Sequence, residues 1–332
     1  MFVVNFVHAH WGLPANLSHH NTFCIYADTI MPQFFFAVGF AYRWTFLRRA
    51  ASHGQPAAYR HALTRNLKLL ALGVLIYGVF SGAFLTPHFL DTTFQTLTTI
   101  AVTSLWVMPV ISRGASIRVA FMVASAGMHL YLSHTFYFEY THGHSVDGGP
   151  LGFLSWTVPL MAGTLACDAM QRLRTLPSMA VNVAAGISLM VSGYLLSCAG
   201  RFASHIHGTL GDVPLWAAPP FVPPNGPIDM WTMNQQAGSV SYLVFAAGFA
   251  LCILVLWQLL SDIGPLRIPA LRTFGQNALA AYLVHFPVAA LLWLAIPNGW
   301  PSLSYLPMIG LYVGAMWCIM RFLERKRWYL KL

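Results

Sequence analysis

Near the start of the chain two histidines stand close together in Asn5-Phe-Val-His8-Ala-His10-Trp11-Gly12, and Asp28 follows just ahead of the next long apolar run. Asn5 and His8 are three residues apart, which puts them on one face if the segment is helical. A neutral imidazole with an ordinary pKa of about 6.5 can take a proton from an amine or hydroxyl, and a carboxylate can fix its tautomer and stabilise the imidazolium. His8 with Asp28 suits that work. The plainer alternatives are a helix cap for Asp28, ahead of Pro32, and an interfacial polar residue for His8.

Two further stretches carry polar side chains in apolar surroundings. The run from Phe274 to His285 holds Asn277, Tyr282 and His285. On a continuous helix Tyr282 and His285 share a face and Asn277 lies about 80° around from His285, so the three can line one channel at different depths. Helix-to-helix hydrogen bonding accounts for a lone Asn or His equally well. The run from Ile228 to Tyr242 sets Trp231 and Ser241 among Asn and Gln side chains, a composition suited to holding a sugar. Trp231 and Tyr242 are equally suited to anchoring at a membrane interface. His129 and His134, in an aromatic setting, are weaker candidates. The sequence contains no Gly-rich phosphate loop, nucleophile elbow or HExxH helix. Its five cysteines, Cys24, Cys167, Cys198, Cys252 and Cys318, match neither a zinc site nor a disulfide framework, and no metal is expected.

These residues must be positioned by membrane helices. With 57% hydrophobic and 8% charged residues over 332 positions, and a mean hydropathy of +0.60, the chain has too little polar surface for a water-soluble globule. Apolar runs long enough to span lie near 28–47, 66–85, 94–112, 117–138, 151–170, 179–199, 238–260, 273–297 and 303–322. The expected fold is an all-α polytopic transmembrane helix bundle, one domain over 1–332, with nine full spans and the first seven residues forming the end of a truncated first helix. If the spans alternate, every Lys and Arg except Arg201 falls in the loops of one face, Arg43, Arg118 and Arg172 among them. That face and the C-terminus are then cytoplasmic, and the cell (cytoplasmic) membrane is the expected location. The net charge of +9 is thus a topology signal, and nucleic acid is not an expected partner. The opposite face carries Asp28, Asp91, Glu139, Asp147, Asp212, Asp229 and most of the histidines. Its longest segment, 200–236, is proline-rich and reads as a lid or as an ordinary surface loop.

The run His8-Ala-His-Trp11, a short loop, and then Asp28-x-x-x-Pro32-x-Phe34-x-Phe36-x-x-Gly39 resembles the pattern of the heparan-alpha-glucosaminide N-acetyltransferase family and its bacterial relatives. Leu67-Lys68-Leu-Leu-Ala-Leu-Gly73, Gly149-Pro-Leu-Gly152, Ser241-Tyr242 and Gly275-x-Asn277-Ala278-x-x-x-Tyr282-x-x-His285 fit it too. The family's opening Asp-x-x-Arg-Gly motif is absent, and Phe94-Gln-Thr-Leu97 stands where an arginine is expected. The resemblance implies transmembrane acyl transfer, with acetyl-CoA as cytoplasmic co-substrate and a sugar amine or hydroxyl as acceptor on the far side. It makes His8 the active-site histidine and Asp28 its partner, and it places Asn277 and His285 along the acyl-CoA or acceptor channel. Asn5, Tyr282, Trp231 and Ser241 complete the candidate lining. The expected partners are acyl-CoA, a glycan or amino-sugar acceptor and the lipid bilayer, with a homodimer compatible. A small-solute transporter and a noncatalytic membrane scaffold are the competing readings.

Overall fold

The computed structural model describes residues 2–8, 19–20, 22–86, 89–208, 213–294 and 305–330, without the side chains of Phe2, Val7, His8 and Tyr305. Among these residues the chain is all helix, turn and loop, with no strand. The helices are α1 (Phe2–His8), α2 (Ile30–His53), α3 (Gln55–Gly73), α4 (Phe89–Thr93), α5 (Thr96–Val107), α6 (Ala115–Leu132), α7 (Phe138–Thr141) and α8 (Phe153–Arg172). They continue with α9 (Thr175–Ser197), α10 (Ala199–Ile206), α11 (Val240–Gln258), α12 (Pro269–Gln276), α13 (Ala278–Leu294) and α14 (Tyr305–Arg325). Local sequence sets several of the boundaries. Gly54 leaves the helical region at φ 84°, where a side chain would be strained, and Pro56 follows in the first turn of α3, so α2 ends and α3 begins within one residue.

The described residues of each of the nine expected apolar runs are largely helical. Among the described residues five helical stretches are long and apolar enough to cross a membrane, and a sixth counts if the bent pair α12–α13 is one span. That pair is bent by 93° at Asn277, so the expected continuous span 273–297 is broken near its start.

The contacts divide the chain into two units, His20–Gln258 and Met1–His19 with Leu259–Leu332. The centre of the larger unit is α8, buried over most of its length against α2, α5, α6 and α11. Small residues let these backbones meet. A Cβ at Gly39 would overlap the carbonyl of Leu160, one at Gly163 that of Phe36, and one at Gly248 that of Gly186 on α9. Such close approach replaces the hydrophobic drive that is lacking between helices in lipid. In the smaller unit α1 packs on α14 and α14 on α12 and α13, around Phe6, Ala281, Tyr312, Met316 and Met320.

The charge pattern is corrected at two arginines. Arg43 and Arg118 lie inside α2 and α6, are 3% and 0% exposed, and both bind Asp168 of α8. Arg43 Nε and Nη2 donate to the two carboxylate oxygens at 2.8 and 3.1 Å and its Nη1 to the carbonyl of Ile111, while Arg118 Nη2 donates to Asp168 Oδ2. A count of basic residues near span ends does not separate a loop arginine from one folded back into the bundle. The ionisable Asp168 inside the run 151–170 was the available signal.

Candidate functional site

In the smaller unit the candidate residues gather on α1, α13 and α14. His285 is 1% exposed. Its Nδ1 faces the carbonyl of Tyr282, three residues back on α13, and only a protonated Nδ1 can bond there. Nε2 is then the lone-pair nitrogen, and it accepts from Asn5 Nδ2 on α1 at 3.4 Å. The phenol of Tyr312 on α14 donates to the His285 carbonyl at 3.4 Å. Phe6 stacks on Tyr312 at 4.4 Å and on Trp293 at 5.9 Å, which fixes the rotation of α1 and so the direction of Asn5. Phe286 and Tyr282 close the imidazole in at 3.9 and 5.3 Å between ring centres. The result is a histidine with a set tautomer and a basic nitrogen pointed at an amide.

His8 lies three residues beyond Asn5 on the same short helix. Its side chain, and with it the expected pairing with Asp28, falls outside the described residues. Asn277 does not join His285. It sits at the break between α12 and α13, where Nδ2 donates to the carbonyl of Trp328 at 3.2 Å, and its buried Oδ1 has no partner among the described residues.

The larger unit holds the remaining candidates in a second polar cluster. Asp28 is 1% exposed in the turn before α2, and its Oδ2 accepts from the backbone amide of Ile25 at 3.3 Å. That bond runs backward to the preceding loop, so it is not the forward cap of α2. Tyr242 of α11 donates to the Asp28 carbonyl at 2.5 Å, tying α11 to the start of α2. Burial, with Asp28 close by, raises the Cys24 thiol above its usual range. Ser241 Oγ donates to the Trp231 carbonyl at 2.7 Å, and Asp229 Oδ1 accepts from the backbone amides of Trp231 and Thr232. Both candidate sugar contacts thus brace the segment leading into α11, with Trp231 half-buried.

Sequence reasoning missed the centre of this cluster. Gln235 Nε2 donates to Asp147 Oδ1 at 2.9 Å, Trp156 Nε1 to the Asp147 carbonyl at 2.8 Å, and Ser145 Oγ to the Gln236 carbonyl at 2.7 Å. Gly148 and Gly238, both at positive φ, meet backbone to backbone there. Asn234 Nδ2 and Gln235 Oε1 are buried without a hydrogen-bond partner among the described residues. The turn Asp147-Gly-Gly-Pro was legible in the sequence, but its companion at 234–238, some ninety residues later, was not.

No protein-family model matches this sequence, and no curated protein matches it.

Proposed function

We propose that this chain is a multi-pass membrane acyltransferase that carries an acetyl group from cytoplasmic acetyl-CoA to a sugar amine or hydroxyl on the far side of the membrane. The observation that carries the reading is the Asn5 to His285 contact. It gives α13 a neutral histidine with an oriented basic nitrogen, and it brings to that nitrogen the helix that also bears His8. When the Asn5 amide turns aside from that lone pair, such a base takes the acceptor's proton as the acceptor attacks the thioester carbonyl, and the C–S bond breaks to expel the coenzyme A thiolate, which receives the proton. The likeness of the His8, Asp28 and Gly275 to His285 runs to heparan-alpha-glucosaminide N-acetyltransferases supplies the substrate class. The basic loops, read as cytoplasmic, suit the anionic coenzyme.

The test is transfer of labelled acetyl from acetyl-CoA to a panel of amino sugars and glycan fragments by purified protein in nanodiscs. His8→Ala and His285→Ala are each expected to lower transfer by about 10²- to 10⁴-fold with unchanged insertion. Wild-type turnover in both variants would sink the proposal.

One observation favours a second reading. Broken helices with unpaired polar groups line solute sites in transporters, and the 93° break at Asn277, whose Oδ1 has no partner among the described residues, has that character. Solute accumulation by proteoliposomes without any coenzyme A would support transport instead.

A further inference from the structure

The proline-rich segment between α10 and α11 is described over 213–226, within the larger unit. Residues 217–220, with Val222 and Pro224, wall a cavity of about 40 Å³ whose other side is formed in part by Cys24, Ser197 and Met233. At ~15 Å³ per water such a space takes a few water-sized groups.

The two ends of this wall are held differently. Around 214–218, side chains of α9 and α10 bind the backbone of the segment. Arg201 Nη1 donates to the carbonyls of Pro214 and Trp216 at 3.0 and 2.9 Å, and the phenol of Tyr194 donates to the carbonyl of Ala217 at 3.0 Å. The Ala217 amide donates to Cys198 Sγ at 3.4 Å. Asn225 closes the segment on itself, accepting from the Ala218 amide at 2.9 Å and donating to the Trp216 carbonyl at 3.3 Å. The tip is Phe221. Its amide donates to the Cys24 carbonyl at 2.9 Å, and its half-buried ring packs edge-on against Phe245 and Phe249 of α11, at 5.8 and 6.0 Å between ring centres. The backbone there has φ 72°, a left-handed conformation that a bulky L residue adopts only under strain. In a plain surface loop nothing offsets such strain; here the packed ring and the bond to Cys24 do. Strain held by its surroundings in this way is characteristic of clamps and switch segments.

We infer that 213–226 is a hinged lid on this cavity, anchored at Arg201 and Tyr194 and latched at Phe221. Freeing the ring lets φ return to an unstrained value, so the lid opens from its tip while the anchored end stays in place. Opening therefore uncovers Cys24, which Phe221 bonds, and not Cys198, which lies under Ala217. The lid goes beyond the acyltransferase reading and does not depend on it.

The test is the rate of maleimide labelling at each cysteine of the folded full chain in nanodiscs, followed by mass spectrometry, for the wild type and Phe221→Ala. Cys24, Cys198 and Cys167 are 3%, 0% and 0% exposed in the closed protein. Phe221→Ala should label Cys24 about tenfold faster than wild type or more, with Cys198 and Cys167 still protected; monodisperse elution confirms that the variant is folded. Should Phe221→Ala misfold, Phe249→Ala removes the facing ring and is read in the same way. Cys24 labelling no faster than in the wild type, in a folded variant, overturns the latch. A gain shared by Cys198 or Cys167 overturns it too, since the opening then does not start at Phe221.

Discussion

At His285 the two ring nitrogens have different tasks, because one is held by a carbonyl of its own helix and the other meets an amide from α1. Replacing Asn5 by Leu removes that donor and leaves the Tyr282 carbonyl as the one described hydrogen bond that orients the ring. Transfer should fall about tenfold in Asn5→Leu, as expected for one lost hydrogen bond to a working group, with partial recovery in Asn5→Gln; steady-state kinetics in nanodiscs would show it. Cys24 makes a second residue-scale prediction. The thiolate is the reactive form, and a thiol whose pKa burial has raised stays protonated at pH 8. Cys24 should therefore resist maleimide until the protein is unfolded in detergent, as followed by mass spectrometry. The types and spacing of Asn5, Tyr282 and His285 were legible in the sequence. The Asn5 to His285 contact was not, because it joins residues 280 positions apart and depends on how Phe6 stacks on α14.

Among the helices, α2 and α8 approach so closely that there is no room for one extra carbon at Gly163. Gly163→Ala should lower the unfolding midpoint in detergent, with overpacking worth about 1–3 kcal/mol. Gly127→Ala on α6, where a Cβ meets open space, should be neutral or slightly stabilising through helix propensity. The same helices carry the Arg43–Asp168–Arg118 cluster, in which two buried cations share one carboxylate and Arg118 Nε and Nη1 have no partner among the described residues. Asp168→Asn leaves both cations uncompensated and should cost about 3–5 kcal/mol of stability, partly restored by adding Arg118→Met. The sequence announced these helices through their apolar runs. It did not announce the break at Asn277, since no proline or glycine lies at the bend itself and a Cβ at Gly275 would meet open space.

For the whole molecule, the proposed topology, read from the segregation of basic residues, predicts an extracytoplasmic segment around Val222 and a cytoplasmic turn at Gly54. In a cysteine-free background, a membrane-impermeant maleimide added to intact cells should label Val222→Cys, which is exposed, and spare Gly54→Cys until the cells are opened. The reverse pattern would invert the topology and remove the cytoplasmic donor side from the proposed reaction. Composition alone determined the solvent, because a chain with so few charges cannot cover itself in water, and the apolar runs determined where helices form. Tertiary structure decided which polar residues work together. It separated Asn277 from His285, gave Trp231 and Ser241 bracing bonds, and joined Asp147 to Gln235 and two arginines to Asp168. The physical reason is range. Hydropathy and helical period act over a few turns, whereas a buried polar group takes whichever partner the packing of distant helices brings within hydrogen-bond distance.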